Sequence, residues 1–195
     1  MKPALLASVI GLALAATLAC WYWTAAPIAE AERQLERQQW LAALPAGSYD
    51  NDPLLAPLPI AGSKLAHSQL LSAYRATLAG KPVAVLLRSQ AQGYAGPIQL
   101  AIAIDSTGRL AGIRVLAQHE TPGLGGQLAE PQRHWLEQFS QRDVNAHWAL
   151  KRDQGDFDQL AGATVTSRGV IDALQDALRY FDMHRHTLLQ ASHDD

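Results

Sequence analysis

The chain has one cysteine, Cys20, so no disulfide can form within it, and cysteine usage does not mark its compartment. It has no excess of either charge. A formal net charge of −2 over 195 residues leaves no basic face for nucleic acid. It lacks a nucleophile elbow, a phosphate loop with lysine and a dinucleotide fingerprint. The histidines His67, His119, His134, His147, His184, His186 and His193 are scattered, and none forms an i,i+4 pair with a supporting carboxylate. His184 and His186, close to a polar C-terminal tail, read as solvated, and no metal site is expected. There is no internal repeat and no low-complexity tract.

Charge is also missing locally. From Pro3 to Ala29 no charged residue occurs, whereas Glu30, Glu32, Arg33, Glu36 and Arg37 follow closely. Leu5–Trp23 is apolar and long enough to cross about 30 Å of hydrocarbon at roughly 1.5 Å per residue. Trp21, Tyr22 and Trp23 stand at its far end, where amphipathic rings prefer the headgroup level. The competing reading is a cleaved signal peptide. An aromatic triplet directly after a cleavage site, and Thr17 in a poor lipoprotein signal ending at Cys20, favour a retained anchor with its N-terminus in the cytoplasm. A long C-terminal domain crosses regardless of a few flanking charges.

The remaining organisation follows from pattern. Residues 1–26 form the N-terminal end and anchor. Residues 27–66 hold a juxtamembrane helix, Pro27–Leu44, and an irregular connection through Pro45, Gly47, Pro53, Pro57, Pro59 and Gly62. Residues 67–183 form a globular domain and 184–195 a polar tail. Within the domain, Ser72–Leu78, Pro82–Arg88, Ile98–Ile104 and Leu110–Ala117 read as strands, joined at Ala79-Gly80-Lys81 and Asp105-Ser106-Thr107-Gly108 by hairpin turns. No helix-length insert separates them, so an antiparallel meander is expected. Pro131–Phe139 reads as a helix with proline in its first turn, and His147–Leu150 as a short strand. Val170, Ile171, Leu174, Ala177, Leu178 and Phe181 recur at helical spacing within a helix over Ser167–Met183. Its apolar face should cover the sheet. The fold class is α+β, an antiparallel sheet packed by helices behind one transmembrane helix.

Two loops stand out. QHETPGLGGQ, residues 118–127, reads either as an ordinary glycine-rich loop or as one whose backbone approaches a ligand closely. AGATVTSRGV, residues 161–170, puts Thr164, Thr166 and Ser167 at a helix start that needs one capping hydroxyl. A cap by Thr166 or Ser167 is one reading. The other is phosphate binding, because a helix N-terminus leaves N–H groups unpaired and carries partial positive charge. Gly162 and Ala163 keep the approach open, and the Thr164 hydroxyl could bind a phosphate or be esterified by one.

These same residues carry a resemblance. DQLAGATVTS is similar to a flavinylation motif: Asp, two variable residues, then Ser or Thr, Gly, Ala and Thr. HETPGLG resembles the second signature of the same FMN-binding domain family. With GYAGPIQLAIAID and GDFDQ around them, the whole chain resembles the G subunits of Rnf-type ion-translocating electron-transport complexes. The resemblance implies that Thr164 forms a phosphoester with FMN, installed from FAD by a flavin transferase that recognises Asp158, Gly162 and Ala163. Thr166 and Ser167 would cap the helix and solvate the phosphate. Glu120, Thr121, Pro122, Gly123, Leu124 and Gly125 would lie beside the flavin. Ala161 departs from the motif's small hydroxyl residue, and Gly126 from an expected acidic one.

The implied function is an electron relay through covalent FMN, with no catalysis by the chain alone. The implied partners are the A, B, C, D and E components of the Rnf complex, the flavin transferase and membrane lipid. The implied location is the bacterial inner membrane, single-pass, with the C-terminal domain in the periplasm. The alternatives are the C component of a sodium-pumping NADH:quinone reductase and a cofactor-free membrane-anchored scaffold.

Overall fold

The computed structural model describes residues 3–129 and 134–190, apart from the side chains of 3–9, 24–29, 32 and 33. The chain divides into two units, Met1–Gln38 and Gln39–Asp195. The first is the body of helix α1, Pro3–Leu41. Ile10, Leu12, Leu14, Leu18, Trp21, Tyr22 and Trp23 are all exposed on it. Among the described residues no helix is long and apolar enough to cross a membrane. The expected anchor begins at Leu5, and the side chains of 5–9 lie outside the described set.

The second unit is built on one antiparallel sheet in the order β1-β2-β3-β4-β5. The strands are β1, Pro57–Leu58; β2, Ser68–Leu78; β3, Lys81–Gln92; β4, Pro97–Asp105; and β5, Leu110–Ala117. The meander arises from local chemistry. Ala79 and Gly80 both take positive φ, 50° and 73°, which a two-residue hairpin turn demands. Asp105 Oδ1 accepts the backbone N–H groups of Thr107 and Arg109 and so closes the next turn.

Alternation then sorts the side chains. On β4, Ile98, Leu100, Ile102 and Ile104 face one core with Val85 and Leu87, while Ala101 and Ala103 face a second with Leu86. The first core is covered by helix α2, Thr164–Leu189, through Val170, Ile171, Leu174, Ala177, Leu178 and Phe181. Phe139, Trp148 and Phe157 extend that core, with ring centroids 4.7 to 6.1 Å apart. The second core is closed by Trp40, Ala43 and Leu44. Trp40 meets Tyr74 edge-on at 5.7 Å and lies under the Arg88 guanidinium.

The expected α+β sheet-and-helix architecture is present. Several boundaries differ. Strands β2 and β3 extend past the expected ends, and β1 has no counterpart in the sequence reading. His147–Leu150 is not a strand: it makes one isolated bridge, Leu150 to Phe157, and serves to drive Trp148 into the aromatic cluster. In Pro131–Phe139, residues 131–133 lie outside the described residues, and Trp135–Phe139 is a 3-10 turn, not an α-helix. Helix α1 ends at Leu41, not Leu44. Helix α2 runs past Met183 to Leu189, because Leu188 is buried and Arg75 of β2 donates to the carbonyls of Leu188 and Thr187 at 2.7 and 3.1 Å.

Candidate functional site

The first turn of α2 sits where the β3–β4 turn and the loop of residues 118–127 converge. Gly169 makes this possible. A Cβ there would strike the Gln92 carbonyl oxygen, so α2 crosses directly over the end of β3. Next to this crossing, Glu120 is 6% exposed and holds three segments together. Its Oε1 accepts the Ala95 N–H at 3.0 Å, and its Oε2 accepts a short hydrogen bond from Thr166 Oγ1. Gly93 and Gly125 leave the room. A Cβ at Gly125 would lie 2.5 Å from Glu120 Oε2 and 2.7 Å from Thr166 Oγ1. A fully paired buried carboxylate of this kind makes the arrangement specific.

A cleft of about 350 Å³ opens over that brace, lined by Tyr94, Glu120, Thr121, Leu124, Gly125 and the segment Gly162–Thr166. Gly162 turns the chain into α2 with φ at 72°, a value that favours glycine. A side chain there would also press on Leu124 Cδ2, 2.9 Å from the added Cβ. Ala163 is the N-cap residue, with no side-chain cap. Thr164, the first helical residue, donates from Oγ1 to Gln159 Oε1 at 3.1 Å on the protein surface. A helix start leaves its first N–H groups without intrahelical partners and carries partial positive charge. The cleft therefore combines apolar walls, a polar floor and a helix N-terminus.

The sequence-derived candidates fall into two groups. Glu120, Thr121, Leu124, Gly125, Gly162, Ala163, Thr164 and Thr166 line the cleft. Gly123, Ser167 and Asp158 do not. The capping role expected of Thr166 or Ser167 is corrected: both are fully buried, and Thr166 serves Glu120. Ser167 Oγ instead donates to the Ala163 carbonyl at 2.8 Å and accepts the Leu160 N–H at 2.9 Å, tying the preceding loop to the helix. Asp158 lies on an exposed surface, paired with Lys151 Nζ at 2.6 Å. Its backbone is gripped by Trp135 Nε1 and by both amide atoms of Gln138. Tyr94 and Val165 also line the cleft, and sequence reasoning misses both. The available signal for Tyr94 is an aromatic between Gly93 and Gly96 in a hairpin turn.

Residues 93–179, which contain the turn, both loops and most of α2, match the FMN-binding domain family model. The G component of the ion-translocating oxidoreductase complex of Pseudomonas aeruginosa is 44% identical over 173 residues, covering 86% of this chain and 81% of that protein. The chain belongs to this family of G components. The family's member in Stutzerimonas stutzeri is 37% identical over 157 residues, covering 78% of this chain and 68% of the other. That in Pseudoalteromonas atlantica is 34% identical over 175 residues, covering 83% and 80%. The crystal structure of Shewanella oneidensis NqrC is a distant likeness, with TM-score 0.49 and 22% identity over 60% of each chain.

The cleft fits the cofactor that the domain name carries. Its volume lies in the range of roughly 300–1,000 Å³ typical of small-ligand sites. Tyr94, Leu124 and Val165 offer apolar surface for a flat ring, and the start of α2 offers N–H donors for a phosphate. Gly162 and Gly125 let Leu124, Glu120 and Thr166 pack where a Cβ would strike them, which draws the walls and floor of the cleft together.

Proposed function

We propose that this chain is the electron-relaying G component of an Rnf-type ion-translocating oxidoreductase complex, with FMN joined through its phosphate to Thr164 Oγ1. One observation carries the reading: the Thr164 hydroxyl stands at the N-terminus of a long helix, on the rim of a cleft completed by the loop of residues 118–127. The name of the relatives supports the place in the complex, and the family model supports FMN as the cofactor.

Each residue has a task in this account. Thr164 Oγ1 is the acceptor of the phosphoryl group, and Gln159 Oε1 orients it by accepting the hydrogen bond that the hydroxyl donates. Thr164 Oγ1 would hold the FMN phosphate as an ester, the nucleotide being supplied by a flavin transferase. The first N–H groups of α2 stabilise the phosphate charge. Gly162 and Ala163 keep the approach clear, and Leu124 bounds it. Thr121, Gly123 and Gly125 shape the facing loop, with Gly123 fixed by a hydrogen bond from Gln127 Nε2 to its carbonyl. Glu120, Thr166 and Ser167 hold the floor rigid. Asp158, exposed and held by its backbone, is the handle for a flavin transferase. The bound flavin supplies reversible electron transfer, and the protein supplies its position.

Leu5–Trp23 anchors the chain in the inner membrane, supported by the uncharged run and by the outward-facing apolar side chains from Ile10 to Trp23. The globular unit works on the periplasmic side beside the other members of the complex. A reporter fused after Asp195 is expected to be active outside the cytoplasm only; cytoplasmic activity overturns the orientation. For the cofactor, protein co-expressed with a flavin transferase is expected to give a fluorescent band after denaturing electrophoresis, and Thr164→Val none. A wild-type band without flavin leaves the scaffold reading in its place.

A further inference from the structure

Among the described residues of the globular unit, six large apolar side chains are exposed: Leu55, Leu78, Tyr94, Leu124, Val165 and Met183. Isolated exposed apolar residues are ordinary; clustered ones mark contact sites. Three of these six, Tyr94, Leu124 and Val165, line the same cleft. Tyr94 is the most exposed of the three at 76%, against 45% for Leu124 and 50% for Val165.

The backbone that presents Tyr94 is not free to wander. The Gly93 N–H donates to the Gly96 carbonyl at 2.8 Å and closes the turn around Tyr94 and Ala95. Ala95 is bound to the buried Glu120 carboxylate, and Gly93 packs against that carboxylate and the Ile98 side chain. Gly96 abuts His119, with an added Cβ 3.5 Å from its Cβ. The turn is thus fixed on both sides, and what it holds out is an aromatic ring at the mouth of the cleft. A fixed backbone with a solvent-facing ring suits a flat ligand, because stacking needs a face held in place.

We propose that Tyr94 is the aromatic face against which the isoalloxazine ring packs, with Leu124 and Val165 as its apolar surround. This rests on the reading that a flavin is attached at Thr164. It adds a ring-binding residue to a site otherwise defined by the phosphate end. Tyr94 positions the ring so that the flavin presents a reproducible orientation to its electron partners.

The test uses matured full-length protein in detergent and reads flavin emission, since a phenol or indole ring in contact with a flavin quenches it. Wild type is expected to be dim when folded and severalfold brighter after unfolding in denaturant. Tyr94→Leu is expected to carry a full equivalent of covalent flavin by mass and to be nearly as bright folded as unfolded. Leu124→Ala, which keeps the tyrosine, should stay dim. Tyr94→Trp should restore quenching. Where Tyr94→Leu acquires no flavin, Tyr94→Phe serves instead: it keeps the ring, loses the phenol and should brighten in the folded state. A flavin-loaded Tyr94→Leu or Tyr94→Phe protein as dim as wild type overturns the proposal and leaves attachment at Thr164 standing. A wild-type protein without covalent flavin overturns both.

Discussion

Replacing Thr166 by valine isolates one hydrogen bond under the cleft. Thr166 is fully buried and Glu120 is 6% exposed, so water cannot readily replace a lost partner. Valine keeps the branched shape and removes the donor to Glu120 Oε2, while Oε1 keeps the Ala95 N–H at 3.0 Å. A buried carboxylate oxygen deprived of its partner costs about 1–3 kcal/mol, and hydrogen bonds to charged groups lie in the upper part of that range. Thr166→Val should therefore destabilise the globular unit by about 2–3 kcal/mol. Thr166→Ser keeps the hydroxyl and loses one methyl, which is worth about 1 kcal/mol or less. The assay is urea unfolding of the full chain in detergent, followed by tryptophan emission. Trp135 and Trp148 both pack in the sheet–helix core and report on it. With m near about 1–3 kcal/mol/M, the valine variant should lose about 1 M in midpoint, and the serine variant clearly less. Equal losses for the two, or a valine variant within about 0.5 kcal/mol of wild type, would show that packing alone holds the floor.

Three further outcomes are expected. Gly162→Ala forces a side chain onto φ 72° and against Leu124, so it should lower flavin incorporation during maturation and cost about 1 kcal/mol or more, read by mass and by urea midpoint. Asp158→Asn removes an exposed ion pair with Lys151 and should leave stability within about 0.5 kcal/mol while reducing flavin incorporation; unchanged incorporation removes Asp158 as the transferase's handle. Burial chiefly raises the Asp172 carboxyl above its ordinary range, with His67 opposing, Asp176 adding and Arg168 opposing. The folded state then holds that proton more tightly than the unfolded chain, so this group's contribution weakens stability as pH rises from about 4. Asp172→Asn should accordingly be more stable than wild type at neutral pH, and the gap should close on acidification; a gap that widens in acid refutes the assignment.

The parts of the fold legible in the sequence are those with strong local chemistry. Leu110–Ala117 can be bounded because Asp105-Ser106-Thr107-Gly108 is a self-closing turn and the apolar positions alternate beyond it. The two-residue strand Pro57–Leu58 has no such signal, since its pairing with Tyr74 and Ala73 comes from tertiary contact. Trp148 and Leu150 look like a strand because both are apolar two residues apart, yet Trp148 packs on Phe139 and Phe157 in an aromatic cluster, and Leu150 makes only its single bridge. The extension of α2 to Leu189 depends on Arg75, far away in sequence.

The site divides in the same way. Thr164, Gly162 and the loop of residues 118–127 are legible because backbone freedom and a helix start leave marks in composition. The inward direction of Glu120 is not, because it depends on space left by Gly93 in the β3–β4 turn and by Gly125 further along its own loop. Thr166 and Ser167 look like caps by position alone. Their hydroxyls are claimed by Glu120 and by the Leu160–Ala163 turn, which only the folded chain brings within reach.

The electron relay proposed for this chain rests on a covalent bond at one oxygen, Thr164 Oγ1. Fragmentation mass spectrometry of proteolysed, matured wild-type protein should find the peptide containing Thr164 heavier by one esterified FMN (the nucleotide less water), with the added mass assigned to Thr164 itself. An unmodified peptide, or the same mass on Thr166 or Ser167, would contradict the account.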